Sequence, residues 1–318
     1  MFRSMDYVYE VYKEKSFTVA AKNLYISQPA LSAAIKKVEQ KIGTELFDRN
    51  SNPITLTEAG EAYIKAVEKI YCVQKDFVYE LNDLDQSKTG YLSVSAATLV
   101  SFFLLPRIMR EFTRCYPGIR LELNEGASAD LREKLLLGEI DLLLDYNFDG
   151  AEYEASPILD ENILLAVPVE AAANKNLKAY QLTAEDVKAR RHLAADCPRI
   201  DLSMLERETF LLLKRGNDMY DRATGIFVEQ GFEPEKVIFL NQQMTSFNAA
   251  RAGLGVAFVT DTLVRSGMDD GSVYFYKLNS NRAKRTLYIG RKAGRYSSRT
   301  TKEFIRIAEE VCRELGEE

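Results

Sequence analysis

The side chains that ordinarily carry catalysis are few in this sequence. His192 is its one histidine, set in a basic stretch with Lys188, Arg190 and Arg191. A histidine-based triad or a zinc site needs convergent partners that a single residue in a loop does not bring. Cys72, Cys115, Cys197 and Cys312 make no CxxC pair, a pattern that favours buried free thiols over disulfides or metal ligands. There is no P-loop and no nucleophile elbow. The segment AGLGVAF at 252–258 holds a Gly-x-Gly without a third glycine, and reads as tight packing of a helix on a strand. Any hydrolytic or acid–base activity would have to use carboxylates such as Asp141 and Asp145, which read more simply as strand-end residues beside a cleft. The expectation is a non-enzyme with no cofactor and no metal.

A different chemistry is available between Ser16 and Glu39, SFTVAAKNLYISQPALSAAIKKVE. Lys36 and Lys37 bring it cations that suit DNA phosphates. Two short helices position these groups. The first is expected to bury Val19, Ala20 and Leu24, the second Leu31, Ile35 and Val38, at spacings of three and four. Ser27 can cap the second helix, and Pro29 in its first turn needs no backbone donor. Small residues at Ala20 and Ala21 let the two helices cross closely. This is a helix-turn-helix whose second helix enters a DNA groove, or else an ordinary helical hairpin. Asn50–Pro53 make a turn between Leu46–Phe47 and Ile54–Leu56, the outline of a wing. Arg49 at its base suits a phosphate or the minor groove, or an ion pair with Asp48 or Glu45.

Around this hairpin the chain falls into elements. A helix over 6–14 turns Tyr7, Val8, Val11 and Tyr12 inward. Thr57 caps a long helix with Glu58 and Glu61 in its first turn, running to about Gln86. Ala59, Tyr63, Val67, Ile70, Phe77, Leu81 and Leu84 form its apolar stripe. A helix near thirty residues is long for a globular core, so the stripe is expected to pack on a copy of itself. SKTG at 87–90 ends it as a linker. From Tyr91 strands and helices alternate, LSVSA, LLPRIMREFTRCY, IRLEL, ADLREKLLLG and IDLLL, and a similar order recurs over 209–259. Two parallel α/β lobes facing each other across a cleft are expected. The chain should cross between them near 160–165 and 264–273, with VYFYKL, TLYIG and a last helix from Ser298 completing the first lobe. Net charge is −5, so any contact with nucleic acid needs a local basic face. The basic run from Lys277 to Lys302, which includes Arg282, Lys284, Arg285 and Arg291, reads as a solvated face. With a charged N-terminus and no stretch of ~18 apolar residues, a cytoplasmic protein without membrane contact is expected.

At SQPALS, at LF-x-R and at LTEAG the N-terminal eighty residues resemble the DNA-binding domain of LysR-type transcriptional regulators. LLPRIMREFTRCYPGIRLEL, LLLGEIDLLL and AARAGLGVAF resemble that family's effector-binding domain. The resemblance implies an all-α winged helix-turn-helix with a long linker helix, and an α/β two-lobed domain resembling type 2 periplasmic binding proteins. It divides the chain into 1–58, a dimerising linker helix and hinge at 59–90, and 91–318. Lobe I is then about 91–162 and 268–318, and lobe II about 163–267. It implies double-stranded DNA, a small-molecule effector, a homodimer through 59–86 and a homotetramer as partners. Ser27, Gln28, Pro29, Ser32 and Ala33 match the groove-facing helix, Lys36 and Lys37 its continuation, and Arg49 the wing arginine. Ala33 and Ala34 stand where relatives often hold arginine and glutamine, which leaves much of the specificity to DNA shape. In the cleft, Thr98, Leu99, Ser128, Tyr146, Lys214 and Thr245 match effector-binding positions. Hydroxyls at helix N-termini suit a small anion and equally suit plain capping; Leu99 and Tyr146 point to a partly apolar ligand. Asp261 replaces a common proline, and 190–208 departs from the pattern. The alternative, from another functional class, is a small-molecule binding protein with a helical assembly domain.

Overall fold

Three helices open the chain, α1 (Met5–Glu14), α2 (Phe17–Asn23) and α3 (Gln28–Ile42). In the computed structural model, which describes residues 2–84, 90–267 and 270–317, hydroxyls cap the second and third. Ser16 accepts a hydrogen bond from the Val19 amide at 3.4 Å, and Ser27 from the Ala30 amide at 3.3 Å. Val8, Val11, Ala20, Leu31 and Ile35 are fully buried and form one core with Phe17 and Ala21. Val19, expected inside, is 43% exposed. Phe17 fills its place, because a helix of only seven residues can rotate to bury the larger side chain.

A two-stranded wing, β1 (Phe47–Asp48) and β2 (Thr55–Leu56), pairs antiparallel beside α3. Thr57 then caps α4 (Glu58–Leu84), accepting from the Gly60 amide at 3.0 Å and donating to the Glu45 carbonyl at 2.7 Å. The expected apolar stripe divides along this helix. Tyr63, Ile64 and Val67 are buried in the N-terminal core, whereas Phe77 and Leu81, with Val73 and Val78, are exposed. The side chain of Leu84, the helix end expected at Gln86 and the linker over 87–89 lie outside the described residues.

The chain separates into two compact units, Met1–Leu81 with Leu137–Glu139, and Asn82–Leu136 with Ile140–Glu318. In the second, β3 (Gly90–Ala97) is followed by α5 (Thr98–Phe103), α6 (Leu105–Cys115), β4 (Ile119–Gly126), α7 (Ser128–Leu137) and β5 (Leu142–Asp145). The three strands pair in parallel with β3 in the middle, as the right-handed crossover of each β-α-β unit requires. A sixteen-residue strand, β6 (Tyr153–Pro168), leads to α8 (Ala184–Lys188) and β7 (Arg199–Ile200). The second repeat comprises β8 (Thr209–Leu213), α9 (Asp218–Glu229), β9 (Lys236–Leu240), α10 (Gln243–Arg251) and β10 (Val256–Thr260). These strands are again parallel, with β8 in the middle. α11 (Asp261–Arg265), β11 (Val273–Leu278), β12 (Lys284–Lys292) and α12 (Arg299–Glu317) complete the chain.

β6 belongs to both lobes. Its residues up to Asn162 pair with β12, and those from Ile163 onward pair with β10 and β11. The segment VYFYKL, expected in the first lobe, is therefore in the second. Phe275 and Tyr276 on this strand are fully buried in the second lobe's cores. The return crossing accordingly lies between β11 and β12, at 279–283, rather than at 264–273; the expected boundary residue 268 is outside the described residues. Of the AGLGVAF glycines, Gly255 serves packing, since a Cβ on it would lie 2.3 Å from the Thr209 carbonyl oxygen, whereas Gly253, with open space around it, adopts a left-handed φ of +82° after α10.

Gly60 makes the corresponding contact in the N-terminal unit, where a Cβ would stand 2.0 Å from the Leu46 carbonyl oxygen. Backbone cannot yield as a flexible side chain can. Gly60→Ala should destabilise this unit by about 1–3 kcal/mol, the usual range for overpacking. Urea unfolding followed by helical circular dichroism measures it, and a variant as stable as the wild type would contradict the packing described.

Candidate functional sites

The buried face of α3 fixes which residues it shows to solvent. With Leu31, Ile35 and Val38 turned inward, helical geometry places Pro29, Ala33, Lys36 and Lys37 on the opposite side. These four are exposed, as are Ser27 and Gln28. The Ser27 hydroxyl is occupied by its capping bond. Ser32 is half-buried and accepts from the Arg49 guanidinium at 3.3 Å. Arg49 does form an ion pair, with Glu39 at 2.9 Å rather than with Asp48 or Glu45. Glu39 is buried and its other oxygen accepts from the Leu46 amide at 3.0 Å. The guanidinium also lies 5.1 Å from the Phe17 ring centre. Arg49 is thus held against α3 with 38% of its side chain exposed and, having five N–H groups, keeps donors for an incoming anion.

Between the two lobes of the second unit lies a cavity of about 250 Å³. The start of α5 contributes Thr98 and Leu99, the start of α7 Ser128, and the loop after β5 Tyr146. The second lobe contributes Asn217 and Asp218 at the start of α9, with Gln242, Gln243 and Met244 at the start of α10. Four of the six expected effector residues therefore meet here. Lys214 and Thr245 do not line the cavity; both are exposed. The helix facing it begins at Gln243 with Gln242 as its cap, two residues before Thr245. The Ser128 hydroxyl is held by Asp145 at 2.9 Å, which makes Asp145 a positioning group. Asp141 likewise has a structural partner, accepting from the Ser93 amide at 3.0 Å.

Arg285 is the residue that the sequence reading missed. It belongs to the basic run read as a solvated face, yet its side chain is 3% exposed. Its guanidinium pairs with Glu161 at 2.8 Å and Asp218 at 2.9 Å, and stacks 3.6 Å from the Tyr146 ring centre. Glu161 also accepts from the Thr262 hydroxyl. Burial, chiefly, holds the Tyr146 phenol well above its ordinary pKa. Three buried donors in the cavity wall, Arg285 Nη2, Gln243 Nε2 and the Tyr146 hydroxyl, have no hydrogen-bond partner. Such groups are costly to leave unpaired, so a ligand rich in acceptors fits this wall. A weak signal was present: Arg285 alternates with Leu287 and Ile289 along a strand, on the side that faces in.

His192 is buried in a short 3-10 turn rather than in an open loop, and its Nε2 lies 3.0 Å from Asp261. Asp261 also accepts from the backbone and side-chain amides of Asn162, each at 2.9 Å. Three of the cysteines are buried free thiols, but Cys115 is exposed. Burial pushes the Cys312 thiol up to about 12. Among the described residues, no group of histidine, cysteine and carboxylate side chains could hold a metal, and no helix is long and apolar enough to cross a membrane.

A winged helix-turn-helix followed by two α/β lobes around a cavity is the build of a ligand-responsive DNA-binding regulator. Residues 2–61 match the family described as bacterial regulatory helix-turn-helix protein, lysR family, and residues 85–313 match the LysR substrate binding domain. The chain belongs to the LysR family and is a DNA-binding transcriptional regulator with an effector-binding domain. It is 28% identical to the uncharacterised regulator YcgK of Bacillus subtilis, over 99% of this chain and 95% of that one. It is 30% identical to the regulator CfxR of Cupriavidus necator, over 81% of this chain and 75% of that one. In fold it is similar to full-length OxyR from Pseudomonas aeruginosa, with a TM-score of 0.69 and 22% identity over 98% of this chain and 94% of that one.

Two expectations follow from the ionic groups. Arg285→Met leaves Glu161 buried without its cation and should cost about 3–5 kcal/mol, whereas Arg285→Met with Glu161→Leu should recover much of this; urea unfolding of the three proteins tests it. For Asp261, burial alone would raise the carboxyl, but donors from His192 and Asn162 outweigh it and hold the pKa below 3.8. A depressed carboxyl contributes stability that is present above its unfolded pKa and is lost as pH falls through the folded value. Asp261→Asn should therefore be less stable than wild type at pH 7, and the gap should narrow below about pH 3.8. A gap that stays constant down to pH 3 would contradict this account.

Proposed function

We propose that this LysR-family regulator reads its operator with Gln28, Ser32 and Ala33 on α3, holds the backbone through Lys36, Lys37 and Arg49, and answers to a small anionic effector in the inter-lobe cavity. Ser27 and Pro29 set the start of the reading helix. Residues 1–58 act as the DNA-binding domain and 91–318 as the effector-binding domain. The exposed stripe of Val73, Phe77 and Leu81 on α4 is large and apolar, and supports dimerisation through 59–86. Assembly into a tetramer of two dimers in the cytoplasm, without enzymatic activity, completes the reading.

The observation that carries the effector class is the pair of unpartnered donors, Arg285 Nη2 and Gln243 Nε2, beside the N-termini of α5, α7, α9 and α10. Backbone donors and helix dipoles converge there, so the anionic head need not rely on Lys214. The cavity, about 250 Å³, lies just under the ~300–1,000 Å³ usual for ligand clefts, which points to a small effector. Tyr146 and Leu99 supply an apolar wall. The effector can act only by differing in affinity between two arrangements of the lobes.

Fluorescence anisotropy with promoter fragments tests the DNA half. Gln28→Ala should weaken specific binding about 5- to 150-fold, as loss of a bidentate base contact does. Lys37→Ala should weaken all sequences alike and lower the salt slope by about 1. Absence of salt-dependent, competitor-resistant binding would sink the reading. For the effector, a thermal-shift screen of small carboxylates should find a stabilising ligand whose effect Gln243→Leu removes; a ligand bound equally well by that variant would place the effector elsewhere.

A further inference from the structure

The two lobes meet at a second hollow besides the cavity at Tyr146 and Gln243, an open cleft of about 610 Å³. Its first-lobe wall is β6 up to Asn162 and the last turns of α12; its second-lobe wall is the turn at 190–193 with Asp261. The cleft lies on the other face of β6. Side chains alternate across a strand, so Asp160 and Asn162 turn into the cleft whereas Glu161 turns to Arg285 and the first cavity. Asp261 and the segment from residue 190 onward, where the sequence departs from the family pattern, meet in this wall.

Among the described residues, two buried nitrogens of the wall, Arg190 Nε and His192 Nδ1, have no hydrogen-bond partner. Arg190 directs Nη2 to the Leu315 carbonyl at 3.2 Å, which leaves Nε as a donor. His192 is 1% exposed, and its Nε2 lies 3.0 Å from Asp261. A carboxylate only accepts, so Nε2 carries the proton and Nδ1 is left as an acceptor. One turn thus offers a buried donor and a buried acceptor, both costly to leave unmet. Around them the cleft carries both signs of charge, Arg313 beside Arg190 and Glu309 beside Asp160. Ile158 and Leu193 add apolar surface.

We propose that this cleft is a second ligand site and takes a small zwitterion, an α-amino acid. The carboxylate lies against Arg190 and Arg313, the ammonium donates to His192 Nδ1 and faces Asp160 and Glu309, and the side chain covers Ile158 and Leu193. A plain anion would meet the two carboxylates uncompensated, and a plain cation the two guanidinium groups. Because both lobes line the cleft, its occupant biases their arrangement and is coupled to whatever fills the cavity across β6.

Isothermal titration calorimetry of the full-length protein with each common α-amino acid tests this. At least one should bind, and its amine and carboxylic-acid analogues should each bind about 10-fold or more weakly. Arg190→Met should weaken the amino acid about 10- to 150-fold, as loss of a hydrogen bond between charged groups does. Because Arg190 also holds the end of α12, Glu309→Gln with Arg313→Gln serves as a second variant. Glu309 is half-buried and Arg313 exposed, so the core is spared, and affinity should fall about 2- to 30-fold, the range for two exposed ion pairs. Gln243→Leu, in the other cavity, should leave the binding intact. If no amino acid binds, the inference is overturned, while the carboxylate screen for the other cavity stands on its own. It is overturned equally if the amino acid that binds is lost in Gln243→Leu and unaffected by both cleft variants.

Discussion

Glu161 and Arg285 face each other across adjacent strands with almost no exposure to water, and the geometry of the effector-binding domain depends on them. Removing two such charges from solvent is expensive, and is offset here by close pairing and further hydrogen bonds that leave one donor, Arg285 Nη2, open. The pair stands in register on β6 and β12, beside both chain crossings between the lobes. Its remaining partners come from further elements: Asp218 opens α9, Thr262 lies in α11, and Tyr146 follows β5. One electrostatic cluster thus ties first-lobe strands to second-lobe helices. Because Arg285 and Tyr146 also form cavity wall, a ligand there touches the same groups that hold the lobes in place.

The N-terminal unit uses a smaller version of the same device. Glu39 on α3 spends one oxygen on the Leu46 amide and the other on Arg49. A single buried carboxylate therefore fixes the wing to the recognition helix and sets the direction of a cation that would otherwise sample many rotamers. Ser32, about two turns earlier, is drawn into the same cluster. The group that the helix offers most freely to a base edge is then Gln28.

Much of this was legible in the sequence, for identifiable reasons. Ser27, Pro29 and the 31/35/38 spacing act locally and over a full-length helix, so α3 was placed correctly. The two β-α-β-α-β repeats showed in strand and helix lengths alone. What failed was set by contacts distant in sequence. VYFYKL reads as a strand, but alternation does not say which sheet it joins; pairing with β6 and β7 decides that. Burial of Arg285 depends on carboxylates 67 and 124 residues away, and no local pattern announces them. Val19 was misplaced because α2 is too short for its periodicity to fix a phase. The cleft hydroxyls Thr98 and Ser128 were found at their helix starts, whereas Thr245 was placed two residues late because Gln242 and Gln243 do not resemble a usual cap.

The unbroken run of β6 through both lobes has a mechanical consequence. A loop hinge allows two bodies to gape, but a strand paired with β12 up to Asn162 and with β10 and β11 beyond it resists bending in the plane of the sheet. It yields more readily in twist, the coordinate along which sheets already vary by tens of degrees between neighbouring strands. The softest relative motion of the lobes is then torsional, with Asn162 near the axis and the cavity rim far from it. A few degrees of rotation along the strand would translate into larger sideways displacement at the rim, so shearing of the two walls past one another, rather than their separation, is the movement this architecture makes cheapest.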